Sequence, residues 1–348
     1  MHLRTIINQY NINNMLLSII VISHNQRDLL KRCIDSILLQ ALPFEHEIII
    51  SDDSSNDGTW ELALEYSANN DVISAYQCNT DDFNPINRSS RSGWNRCNGL
   101  KHVKGKYVAH VDADDFFMEN SKVYQRQVEL LEEHPDCSCC MANVYSLKEG
   151  ENLKSAKLMH HQGFKTGDVI ESEFYIRKMF RQSHCFVYRR TDKANPIDLL
   201  GGYYVDSIIT NFYIQFGNIV CLDDAGYVYV QYKNSIWNEN LKTKNYLAFE
   251  HAMFMPRLFP KWKYAYMSER RHLISIFKVV KLSLSNYHFD EVTDKWIKKF
   301  DSFVYHSFNR KLTIKDRLHL LSLLLLVGSL ILFGIKSKRV SDYLFKIL

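Results

Sequence analysis

Apolar and polar positions fall into alternating blocks along the first two thirds of the chain. Leu16–Ile22 is an almost unbroken apolar run rich in β-branched residues, the pattern of a strand covered on both faces in a parallel sheet. After Ser23-His24-Asn25, the stretch from Arg27 to Gln40 carries Leu29, Leu30, Cys33, Ile34, Ile37 and Leu38 on one helical face. A second strand is predicted from Glu47 to Ser51. It runs into the polar turn Asp52-Asp53-Ser54-Ser55-Asn56-Asp57-Gly58-Thr59, whose capping residues announce a helix from about Trp60. Strands over Val72–Tyr76 and Tyr107–Val111, with a helix over Trp94–Val103, continue the series. Further on, the pattern predicts a helix near Ser121–Glu133, strands near Ser138–Val144 and His184–Tyr188, and a helix near Val205–Phe216. Strands and helices in this order argue for an open, doubly wound α/β sheet that binds ligands at the C-terminal ends of its strands.

Beyond Trp237 the pattern changes to helices with many aromatic and basic residues. We therefore read residues 1–15 as an N-terminal extension, 16–239 as the α/β domain and 240–348 as a helical C-terminal region. Charge sharpens that division. From Asn240 onward there are 20 Lys and Arg against 8 Asp and Glu, a balance of +12, and before it 23 against 31, or −8. An acidic α/β half with a basic tail predicts an anionic surface as the tail's partner. Nucleic acid is not expected there, because the tail is too apolar.

Within the tail, Leu318–Ile335 contains eighteen residues and no Asp, Glu, Lys or Arg. Lys311, Lys315 and Arg317 precede it, and Lys336, Lys338 and Arg339 follow. Its length is at the lower edge for a membrane span. Basic residues at both ends suit a hairpin or an interfacial helix meeting anionic lipid, with a single span and a buried helix as alternatives. The polar N-terminus has no apolar signal-peptide core, so the expected location is cytoplasmic, peripheral at the inner face of the cell membrane. The eight cysteines are scattered, and Cys137, Cys139 and Cys140 lack the paired spacing of a zinc site. They are expected to be buried thiols in a reducing compartment.

The strongest chemical signal is Tyr107-Val-Ala-His-Val-Asp112-Ala-Asp114-Asp115. An apolar strand ends there in carboxylates at i and i+2, which a strand projects to one side. Two hard oxygen ligands with open positions suit Mg²⁺ or Mn²⁺ bridging a diphosphate. A charged strand end or a helix cap is the plain alternative. Asp52 and Asp53 end the previous acidic strand and could accept the imide N–H of uracil or ribose hydroxyls. Asp57 is read as a cap of the next helix. Ser23, His24 and Asn25 supply small polar groups and a ring able to stack on a base. Three strand ends converging on one crevice make the set more telling than its members.

Taken together, Ser18–Asn25, the Asp52–Thr59 turn and Gly105–Asp115 resemble glycosyltransferase family 2 over residues 16 to about 237. The resemblance implies the GT-A fold, a mostly parallel Rossmann-like sheet with flanking helices. It also implies a nucleoside-diphosphate-sugar donor and transfer with inversion at the anomeric carbon. By that likeness Asp53 contacts the base, Asp112 lies near the ribose and diphosphate, and Asp114 holds the metal. Arg96 falls where the family often has a basic contact, a solvated helix residue being the alternative. The family's general base has its best match in Asp206, after Gly201-Gly202-Tyr203-Tyr204-Val205, with Asp223-Asp224 as runner-up. One departure stands out: in Tyr229–Trp237, Val230 and Tyr232 replace the arginine and histidine of related enzymes, and Lys233 could supply the missing charge.

The implied partners are a nucleotide sugar, UDP-sugar foremost, and a lipid-linked or saccharide acceptor in surface polysaccharide synthesis. Two rivals remain from the residues alone. A nucleotidyltransferase also uses acidic strand ends, but wants a Gly-rich phosphate loop that is absent around Ser23–Arg27. A sugar-nucleotide-binding protein with an impaired site is the other, motivated by the altered Tyr229–Trp237 segment.

Overall fold

The computed structural model describes residues 16–83, 88–159, 163–178 and 185–233. The predicted Leu318–Ile335 segment lies outside them, as does His184. Contacts divide the chain into two units, Met1–Asn238 and Glu239–Leu348. The described residues all belong to the first.

A ten-stranded mixed sheet organises it, in the order β3-β2-β1-β4-β9-β6-β10-β5, with β7 beside β6 and β8 beside β10. The strands are β1 Leu17–Ser23, β2 His46–Asp53, β3 Ile73–Cys78, β4 Tyr107–Asp112, β5 Phe116–Phe117, β6 Cys137–Lys148, β7 Lys157–Met159, β8 Val169–Ile170, β9 Phe186–Arg189 and β10 Asn218–Gln231. Strands β3, β2, β1 and β4 are parallel neighbours, and β6 and β10 pair in parallel again. Strand β9 joins the two parallel groups by antiparallel pairing with both β4 and β6. All seven residues of β1 are buried, as its unbroken apolar run predicts.

The helices are α1 Arg27–Leu38, α2 Thr59–Asn69, α3 Arg88–Leu100, α4 Val123–Glu133, α5 Ser172–Lys178, α6 Pro196–Leu200 and α7 Asp206–Tyr213. The right-handed crossovers β1-α1-β2 and β2-α2-β3 step outward from β1, whereas β3-α3-β4 steps back across it. Helices α1 and α2 therefore cover one face of the sheet and α3 the other. Leu30, Cys33, Ile34 and Ile37 form the buried stripe of α1. The start of α2 is fixed by Gly58, which takes φ of 89°, and by Asp57, which accepts the Thr59 N–H at 3.0 Å. Asp57 is a cap, as the sequence suggests.

Three elements differ from the periodicity. Helix α3 starts at Arg88, six residues before the predicted start, because Arg88-Ser-Ser-Arg-Ser-Gly presents no apolar stripe to reveal it. Strand β6 is twelve residues long, extending to Lys148. Strand β10 runs unbroken for fourteen residues, with Asp223 and Asp224 inside it. They sit where the register with β6 slips between Leu222 and Ala225, and that irregularity hides the strand's period-two pattern. All eight cysteines are free and buried. No helix among the described residues is long and apolar enough to cross a membrane.

Candidate active site

The C-terminal ends of β1, β2 and β4 lie side by side, with Ser23 opposite Asp52 and Ile22 opposite Asp112. The chain brings the predicted polar residues of three segments to one sheet edge. It does so through a dense set of side-chain bonds.

Asp52 is fully buried at that edge. Its carboxylate accepts Ser23 Oγ at 2.9 Å, Ser55 N at 2.9 Å and Ser55 Oγ at 2.6 Å. Asn25 N donates to Ser55 Oγ, and Asn56 N to Asn25 Oδ1. The loops after β1 and β2 are thus laced together, with Asp52 as the internal anchor. The left-handed φ values of Asn25 (51°) and Ser54 (48°) set the sharp turns that allow it. His24 stays exposed. Its Nδ1 lies 2.5 Å from the Asp53 carbonyl, which requires a proton on Nδ1 and fixes the ring. Asp53 is also buried, and its oxygens accept Thr80 N at 2.9 Å and Thr80 Oγ1 at 2.7 and 2.8 Å. Arg91 Nη2 pairs with it at 3.1 Å.

The acidic loop after β4 separates its three carboxylates. Asp115 is buried, accepting the Tyr227 hydroxyl and, at 2.8 Å, Val230 N. Burial, and then the Asp114 charge, push its carboxyl well above the usual range. It joins the loop to β10 and faces away from solvent. Asp112 and Asp114 are each partly exposed. Arg96 Nη2 lies 2.5 Å from Asp112 Oδ1, and Arg96 is 2% exposed, so it is no solvated helix residue. Burial, and then Asp112, push the Asp114 carboxyl up to about 7. The two acids repel each other, and one of them is hard to ionise.

Asp206 occupies the first position of α7, with Val205 as the N-cap. The turn before it packs against α3 and β4. Gly202 O would lie 2.1 Å from a Cβ on Gly93, and Tyr204 OH is 2.9 Å from His110 Nε2, two residues before Asp112. Gly93→Ala is accordingly expected to push that turn off α3. Overpacking of this kind costs about 1–3 kcal/mol, to be read by chemical denaturation. A denaturation midpoint equal to wild type refutes the tight fit. The alternative acids stand elsewhere: Asp223 accepts the Thr166 hydroxyl, and Asp224 pairs with Arg126 of α4 at 2.6 Å.

Residues the sequence reading missed include Arg91, Thr80 and Arg32. Arg91 had a visible signal, a second arginine five positions before Arg96 on one helix. Thr80 had none, because it reaches Asp53 from another strand's end. Among the described residues, His134, Asp136 and Cys137 hold ligand atoms within 4.8 Å of one another. They lie at the start of β6, the opposite edge of the sheet from Asp114. Arg189 donates into the same turn, to the carbonyls of Cys137 at 3.0 Å and His134 at 3.2 Å, and its charge opposes a cation there.

The family model described as glycosyl transferase family 2 matches residues 18–193. An uncharacterised Mycobacterium tuberculosis protein is 26% identical over 224 residues, which are 64% of this chain and 60% of that one. The matched stretch thus spans 60% of that relative's length. An Escherichia coli enzyme, a UDP-Glc:α-D-GlcNAc-diphosphoundecaprenol β-1,3-glucosyltransferase, is 32% identical over 120 residues, 31% of this chain and 43% of its own. The crystal structure of Staphylococcus aureus TarS residues 1–349 with UDP-GlcNAc superposes with a TM-score of 0.59. Its identity is 17%, covering 84% of this chain and 81% of that one, and it shares the mixed-sheet GT-A architecture.

Proposed function

The chain belongs to glycosyl transferase family 2, and on that premise we propose that it moves a sugar from a nucleoside-diphosphate sugar, UDP-sugar foremost, to an acceptor hydroxyl with inversion. The observation that carries this reading is the Asp112–Asp114 pair at the end of β4, flanked by the polar ends of β1 and β2. His24, Asn25 and the Asp53 edge take the base. Asp112, held by Arg96, takes the ribose and diphosphate side. Asp112 and Asp114 would hold Mn²⁺ or Mg²⁺, and a bound cation supplies charge stabilisation for the departing diphosphate. Asp206 serves as general base: it takes the proton of the acceptor hydroxyl while that oxygen attacks the anomeric carbon from the face opposite the leaving group. A helix N-terminus favours the ionised carboxylate that this role needs.

The E. coli relative's acceptor supports a lipid-linked acceptor in surface polysaccharide synthesis, with a saccharide hydroxyl as the wider class. The basic region from Asn240 and the apolar Leu318–Ile335 segment support work at the inner face of a membrane. A thermal-shift screen of nucleoside diphosphates and their sugars, with and without Mn²⁺, tests the donor class. A UDP ligand is expected to raise the midpoint only when Mn²⁺ is present. If no nucleoside diphosphate gives a metal-dependent shift, the proposal fails.

A further inference from the structure

Arg32 has no part in the reading above, yet it reaches the acidic loop from the far face of the sheet. Helix α1 touches that loop at three points along its length. Arg32 Nη2 donates to the Asp114 carbonyl at 2.5 Å. Cys33 Sγ lies 3.9 Å from the Asp112 carbonyl. Ser36 Oγ accepts the Phe117 N–H at 3.0 Å. Residues 32 and 36 are one helical turn apart, so a single stripe of α1 runs along the loop.

The loop's other flank is held by the end of β10. Asp115 takes Tyr227 and Val230, as above, and the Tyr232 hydroxyl lies 3.4 Å from the Asp114 carbonyl. The same carbonyl is therefore approached from both sides. Its two visitors also bond to each other, Arg32 Nη2 to Tyr232 Oη at 3.1 Å. The guanidinium lies 4.5 Å from the centre of the Phe116 ring, inside cation–π range. Among the described residues, Arg32 Nε is buried and has no hydrogen-bond partner.

Resting on the proposed metal and nucleotide site, we infer that Arg32 is a positioning residue for it. Through the Asp114 carbonyl, and with Tyr232 as its brace, it fixes the peptide that aims the Asp114 carboxylate beside Asp112. Its charge also offsets the repulsion between those two acids before any cation arrives. A planar guanidinium lies flat on a ring face while its Nη2 serves both acceptors, a geometry the compact ammonium of lysine does not reproduce.

The test titrates Mn²⁺ into full-length protein at fixed UDP, reading free Mn²⁺ by electron paramagnetic resonance and UDP binding by calorimetry. Arg32→Met is expected to weaken Mn²⁺ affinity by about 10–100-fold, the usual effect of losing a group that orients a metal ligand. Arg32→Lys recovers part of it by restoring charge without the fork. Tyr232→Phe gives a smaller loss in the same direction and does not depend on Arg32→Met folding. Wild-type Mn²⁺ dependence in Arg32→Met and Tyr232→Phe, or a lowered thermal midpoint with unchanged Mn²⁺ affinity, overturns the inference alone. If wild-type protein binds no UDP at any Mn²⁺ concentration, the proposed function falls and this inference falls with it.

Discussion

Asp114→Ala is expected to abolish Mn²⁺-dependent UDP binding while the protein keeps its fold. The carboxylate is one of two acids proposed to hold the cation, and its burial with Asp112 already pushes it up to about 7. Outer-shell substitutions at metal sites cost about 10–100-fold in affinity, so removal of a ligand itself is expected to cost more than roughly 100-fold. The fold is spared because the loop's structural bond is made by Asp115 to Tyr227 and Val230, which the substitution leaves in place. The same physics sets a pH dependence. A carboxyl that titrates near 7 must lose its proton to ligate, so Mn²⁺ binding weakens as pH falls below about 7 and is proton-independent above it. In the metal-free protein the sign is reversed for stability. The raised carboxyl stabilises the fold at low pH, and that contribution is lost as pH rises through about 7. Calorimetric titrations of wild type and Asp114→Ala at several pH values read both effects. Unchanged Mn²⁺-dependent affinity in the variant removes Asp114 from the metal site.

Asp206→Asn is expected to keep donor binding near normal and to lower sugar transfer by roughly 10²–10⁴-fold, the range for loss of a general base. Asparagine preserves size and hydrogen bonding but cannot take a proton. The residue opens α7, where the helix dipole favours a carboxylate, and the turn before it is tied to β4 through Tyr204 and His110. Single-turnover transfer beside equilibrium UDP binding separates the roles. Loss of donor binding assigns Asp206 to the metal or to structure, and near-normal turnover moves the base elsewhere. Asp224 is then the less suitable heir, because Arg126 already pairs with its carboxylate.

The parallel half of the sheet was legible because β1, β2 and β4 are buried on both faces and their turns are polar. Leu16–Ile22 and the Asp52–Thr59 turn could hardly be read otherwise. Helix α3 was less legible at its start, where six polar or small residues give no amphipathic signal. Strand β10 was obscured by Asp223 and Asp224, placed at a register slip where they face solvent. At the site, the acids were visible as types and spacings. Their division of labour was not, because burial decides it: Asp52 and Asp115 turn inward to serine, tyrosine and backbone partners, whereas Asp112 and Asp114 remain partly open. Arg32 left no trace in one dimension, since its target lies 82 residues away.

The lacing of the loops after β1 and β2 has a thermodynamic consequence. Asp52, Ser23, Ser55, Asn25 and Asn56 hold one another through their own hydrogen bonds, so on the proposed reading the base end of the crevice is preorganised and a nucleotide meets little ordering entropy there. The metal end is the reverse, a pair of acids in electrostatic tension. A nucleoside without its diphosphate therefore finds a rigid seat but draws nothing from relieving that tension. If the proposed site is the donor site, the free energy of donor capture is concentrated at its metal end, and discrimination among bases is left to a surface that does not adapt to the wrong one.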